Sequence, residues 1–177
     1  MRRILAACAF LLVILSCSTP AAWAPPAIEL PLHTSDSSVC LCLPVERLPA
    51  AEAAVADWDR AIAGWHRMVA VPSCDPGGCD YWVHESDASE VPLVNGMGWT
   101  PVLGGREVVL VRGGYEKDVR HVVAHELGHA LGAQHLPGTL MESPWHPGIV
   151  RCPDAATVAQ VAAWNRVDLR LLSWCFP

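Results

Sequence analysis

The chain has 177 residues, with 12 basic and 18 acidic side chains and a net charge of −6. That length suits one domain with a core of its own, and an acidic balance with no basic stretch excludes a nucleic-acid partner. The apolar run Ile4 to Leu15 is too short for a permanent transmembrane helix, which needs about 20 such residues.

Arg2 and Arg3 precede that run and small residues follow it, which is the layout of a secretory signal over residues 1–16. Ile14-Leu15-Ser16-Cys17 resembles a bacterial lipoprotein box, with Cys17 as the lipid-modified N-terminus. Ala22-Trp23-Ala24 offers a competing cleavage site, but Pro25 directly after it hinders cutting. The lipoprotein reading is preferred, and either route exports the protein to the cell envelope or beyond. Removing residues 1–16 takes away two arginines and no acids, leaving a net charge of −8. Residues 17–36 are rich in Pro, Ser and Ala and read as a tether. The folded domain is expected over 37–177.

Within that domain, Ser38 to Leu43 is a strand candidate. Leu48, Ala51, Val55, Trp58, Ile62, Trp65 and Val69 then recur at three–four spacing, which predicts one amphipathic helix running to Val69 with its stripe against a sheet. Tyr81 to Glu85 is a second strand, and His84, Glu85 and Asp87 are read as solvated residues rather than a second metal site. Gly96 to Pro101 is a short edge strand, since proline suits only an edge or a strand end. Glu107 to Val111 is a buried strand, apolar almost throughout. Asp118 is the expected N-cap of the next helix. Pro153 and Asp154 open a last helix expected to reach about Ser173.

Six cysteines lie beyond Cys17, an even number that points to disulfides in an exported chain. Cys74 and Cys79 flank Asp75-Pro76-Gly77-Gly78, a turn that predicts a bond between them. Cys40 and Cys42 would project to the same side of a strand, so each is expected to pair with Cys152 or Cys175.

The chemistry lies in residues 125–135, HELGHALGAQH. His125 and His129 are one helical turn apart, so both imidazoles can reach one metal ion. Glu126 sits beside them without taking a ligand position. Gly132 allows the backbone to leave the helix at positive φ, and His135 comes round as a third nitrogen. His121, one turn earlier, is read as a neighbour. Three histidines leave a tetrahedral Zn²⁺ one open position, the mark of a catalytic site.

The pattern H-E-x-x-H-x-x-G-x-x-H, with Met141 downstream in Gly138-Thr139-Leu140-Met141, resembles the metzincin clan of zinc peptidases. Leu140-Met141-x-x-Pro144 is most similar to the matrixins, the matrix metalloproteinase-like domains. Leu136 matches neither the Ser or Thr of that family nor the Asp of adamalysins, so the family stays open. Ser143 stands where astacins and serralysins carry a ligating Tyr, so no fourth protein ligand is expected.

The resemblance implies an α+β fold: a twisted, mostly parallel sheet with an antiparallel edge strand, a backing helix, the zinc helix, a Met-turn and a C-terminal helix. It implies a zinc endopeptidase with one catalytic Zn²⁺, in which Glu126 is the general base toward a zinc-bound water. Met141 would pack beneath the imidazoles. Gly98 and Trp99 would receive the substrate backbone, Trp145 and His146 would wall the pocket beyond the scissile bond, and His146 could also bond the oxyanion. The expected partner is a protein or peptide substrate met by a monomer, with membrane contact only through the lipid on Cys17. The reading of a different class is a non-catalytic, zinc-stabilised binding lipoprotein of the envelope.

Overall fold

A computed structural model of the chain describes residues 22–23, 36–92 and 96–176. The signal over 1–16, Cys17 and nearly all of the 17–36 tether lie outside the described residues. The tether contributes one described element, β1 (Ala22–Trp23).

β2 (Asp36–Cys42) leads into α1 (Leu48–Ile62), β3 (Arg67–Val71), β4 (Tyr81–Ser86), β5 (Gly98–Trp99) and β6 (Glu107–Val111). α2 (Val119–Ala130), α3 (Ala155–Asn165) and β7 (Cys175–Phe176) complete the chain. The main sheet has the order β3-β2-β4-β6-β5. Its first four strands are parallel and β5 runs antiparallel to β6 at the edge. The fold is thus α+β with a mostly parallel sheet, as the sequence predicts. Among the described residues no helix is long and apolar enough to cross a membrane.

Alternation along the strands sends Val39, Leu41, Val83, Val108 and Leu110 into one core with Val55, Trp58 and Ile62 of α1 and Val123 and Leu127 of α2. Trp58 does two jobs there. It is wholly buried, and its indole N–H donates to the Ala124 carbonyl at 2.8 Å, tying α1 to α2 with no polar atom left over. Arg120 reaches back from α2 to the buried Asp57 carboxylate at 2.6 Å.

Two helix predictions need correction. α1 stops at Ile62, not Val69, and Arg67–Val71 is a strand paired in parallel with β2. The reversal between them is tight: a Cβ on Gly64 would lie 1.8 Å from the Leu171 carbonyl oxygen. The three–four stripe runs on into Trp65 and Val69 by coincidence, because a short apolar run carries no period of its own. α3 ends at Asn165, not Ser173. Arg166 turns left-handed at φ 57 and its N–H caps the last carbonyls.

The disulfides also differ from expectation. Cys74 and Cys79 do not bond each other, and neither Cys40 nor Cys42 reaches Cys152 or Cys175. The bonds are Cys40–Cys79, Cys42–Cys74 and Cys152–Cys175. β3 and β4 flank β2, so the segment joining them crosses β2 on its way back. Cys40 and Cys42 project from one side of β2, and the crossing segment brings Cys79 and Cys74 to them in turn. Cys152 and Cys175 instead close the C-terminal end on the residues ahead of α3. Three such bonds mark an oxidising compartment.

The end of the same crossing is held by hydrogen bonds to Asp80. Asp80 accepts from the Ser38 N–H at 2.9 Å and the Ser38 hydroxyl at 3.1 Å, and these bonds hold its carboxyl below the usual value. A depressed folded pKa means stability that is present above the unfolded value near pH 4 and lost as pH falls through the folded value. Asp80→Asn is therefore expected to cost about 1 kcal/mol at pH 7. In urea titrations the gap from wild type should close at lower pH, and a constant gap would refute the assignment.

Candidate metal centre and cleft

Asp118 caps α2, its carboxylate accepting from the His121 N–H at 3.3 Å, so the helix starts where the sequence predicts. Seven and eleven residues on, His125 and His129 leave the same face. Each has its Nδ1 against a carbonyl: Leu140 O at 2.9 Å for His125 and Ala133 O at 2.8 Å for His129. A carbonyl only accepts, so both rings carry the proton on Nδ1 and present a bare Nε2 lone pair. Burial holds both rings neutral, with the His125 pKa pushed down to about 3. Neutral, tautomer-fixed imidazoles are what a metal ion requires.

His135 completes the group. Gly132 has φ +97, and the turn it makes brings His135 Nε2 to 3.1 Å from His129 Nε2. The ligand atoms of His125, His129 and His135 lie within 4.8 Å of one another, an arrangement that could hold a metal ion. A tetrahedral ion with nitrogen ligands at about 2.0–2.1 Å sets them about 3.4 Å apart, so the spacing fits the donor set. His121 stays outside the group as a buried neighbour, its ring centroid 5.7 Å from that of His125.

Met141 is fully buried against α2. A Cβ on Gly128 would come 2.5 Å from its sulfur, so the glycine between the two helical histidines is what lets the thioether pack there. Leu140, whose carbonyl orients His125, is itself held by its N–H to Asp154 Oδ2 at 2.8 Å. The Asp154 carboxylate also accepts from Ala156 N, Thr157 N and the Thr157 hydroxyl. One buried carboxylate thus caps α3 and fixes the loop that orients a ligand.

Glu126 lies beneath the edge strand. A Cβ on Gly98 would stand 2.8 Å from its Oε1, so only glycine lets β5 approach this closely. The Thr100 hydroxyl is 3.0 Å from Glu126 Oε2. Burial, with no cationic side chain against it, raises the carboxyl to about 8, while the Thr100 contact pulls the other way. A cation held by the three histidines would favour the ionised form.

A cleft of about 410 Å³ opens on one side of Glu126, lined by Met97, Gly98, His121, Val122, Glu142, Pro144 and Trp145 together with His125 and His135. A recess of about 300 Å³ lies on the other side, between Trp99, Thr100, Leu103 and His129. The two meet along β5.

The structure therefore brings together His125, His129, His135, Glu126, Met141, Gly98, Trp99 and Trp145. It leaves His146 outside the cleft lining, drawn toward Glu142 four residues earlier, with Nε2 to carboxylate 3.3 Å. His84, Glu85 and Asp87 are engaged elsewhere: His84 stacks on Trp82 and faces Glu107, Glu85 contacts Arg47 and Tyr115, and Asp87 pairs with Arg112. Thr100 and Asp154's second role were not found from sequence. A lone threonine gives no periodic signal, and the cap at Asp154 says nothing about Leu140. Compared with models of protein families and with curated proteins, the chain matches none, so its activity is read from the site alone.

Proposed function

We propose that the protein is an exported zinc-dependent endopeptidase of metzincin type, anchored through a lipid on Cys17 and acting on protein or peptide substrate. The observation that carries the reading is Glu126: a buried carboxylate beside three converging histidines, at the junction of two recesses and under an edge strand. A purely structural zinc site has four protein ligands and no use for such a carboxylate.

Zinc held by His125, His129 and His135 would supply a Lewis acid that acidifies water to a pKa of about 7 and polarises a carbonyl. Glu126 takes the proton of the attacking water and returns it to the leaving amine. Thr100 and Gly98 fix where that carboxylate points. The free edge of β5 offers backbone groups to an extended chain by antiparallel pairing. Met97, Val122, Pro144 and Trp145 give the larger cleft apolar walls for the side chain beyond the scissile bond.

The test is digestion of a mixed peptide library by purified, zinc-loaded protein, with and without a hydroxamate chelator. Internal cuts that the chelator abolishes are expected. An untouched library alongside stoichiometric bound zinc would favour the non-catalytic binding lipoprotein instead.

A further inference from the structure

His125 and His129 are each oriented by a backbone carbonyl. His135 is not: among the described residues its ring has one hydrogen-bond contact, to His129 Nε2. It is also the exposed member of the three. Its position comes from the backbone on either side: Leu136 N donates to the Met141 carbonyl at 3.0 Å after it, and the turn of residues 131–134 leads into it.

That turn is gripped from α3. Asn165 Nδ2 donates to the Leu131 carbonyl at 2.9 Å. Gln160 Oε1 accepts from the N–H of Gln134, the residue before the ligand, at 2.9 Å. Between them Trp164 lies over Gly132, where a Cβ would stand 2.2 Å from indole Cγ and Cδ1. The same ring covers Gly104, whose absent Cβ would be 2.9 Å from Nε1. Gly104 N in turn donates to the His129 carbonyl at 2.9 Å. Two glycines whose N–H groups both donate to the His129 carbonyl thus form the seat of one indole. Trp164 remains 51% exposed, an unusual amount for a residue seated so closely, and it adds little to the core.

We infer that Trp164 is a positioning residue for the third metal ligand: by holding the 131–134 turn against α3, with Gln160 and Asn165 on either side, it sets where His135 Nε2 stands. This rests on the metal-binding part of the proposed function and not on peptide hydrolysis. Shells of this kind typically change metal affinity by about 10–100-fold when removed.

The experiment titrates metal-free wild type, Trp164→Ala, Trp164→Phe and Gln160→Ala with Zn²⁺ against a chromophoric chelator. It records the visible spectrum of the Co²⁺ forms and the thermal midpoint of each metal-free protein. Trp164→Ala should bind Zn²⁺ about 10–100-fold more weakly, with a changed Co²⁺ spectrum and a metal-free midpoint near that of wild type. Trp164→Phe should recover most of the affinity, and Gln160→Ala should shift it in the same direction by less.

Unchanged affinity and spectrum in Trp164→Ala would overturn the inference. If that variant does not fold, wild-type affinity and spectrum in Gln160→Ala would overturn it equally. Wild type that binds neither ion would instead remove the metal site itself, whereas wild type that binds zinc but cuts no peptide would leave this inference standing.

Discussion

Replacing Glu126 by Ala is expected to leave zinc bound at full occupancy and lower kcat/KM by about 10²–10⁴-fold, the range that positioned general bases supply. The three nitrogens are oriented by Leu140, Ala133 and the Gly132 turn, none of which involves the Glu126 side chain, so metal content should not follow activity. Glu126→Gln keeps the volume beneath Gly98 and a contact for the Thr100 hydroxyl while removing the base, and should be as inactive as the Ala variant. Metal analysis beside peptide turnover gives the comparison. Turnover retained in either variant would refute the base assignment, and zinc lost with activity would show that the carboxylate is a ligand after all.

The second large effect should come from Asp154, which contacts neither the metal nor any substrate. Its carboxylate is buried and accepts from Leu140 N, Ala156 N, Thr157 N and the Thr157 hydroxyl. Asp154→Ala removes an N-cap, worth about 1 kcal/mol, and strands buried donors at about 1–3 kcal/mol each where water cannot replace the acceptor. A loss of roughly 3–5 kcal/mol in denaturant-derived stability is expected. Zinc affinity should fall as well, because the Leu140 carbonyl that fixes the His125 tautomer hangs from the same carboxylate. Asp154→Asn still caps α3 through its amide oxygen but cannot serve all four donors, so it should lie between. An Ala variant within 1 kcal/mol of wild type would show that the loop orients His125 unaided.

Why one of these residues was evident in the sequence and the other was not is a matter of range. His125, Glu126 and His129 declare themselves because helical geometry converts a spacing of four into a shared face, and Gly132 because only a left-handed turn brings a third histidine back so soon. The alternation of Val39 and Leu41, and the apolar run 107–111, mark their strands by the same local logic. Asp154 reads as a cap, which is local, yet its hold on Leu140 spans fourteen residues and leaves no pattern. β3 was hidden because its few apolar residues fall in step with the preceding helix. The cysteine partners depend on which strand the 72–80 segment crosses, and strand order is a property of the whole sheet. Thr100 matters because β5 carries it over Glu126, a relation that exists only after folding.

One small pairing has a practical consequence. Ala22 lies opposite Phe176 and Trp23 opposite Cys175, so the first and last described strands lie side by side. A label placed on the exposed Phe176 would therefore stand beside Ala22. The same adjacency suits joining Phe176 to Ala22 by a short linker and reopening the chain elsewhere, with the exposed turn at Asp87–Glu90 a natural place to cut.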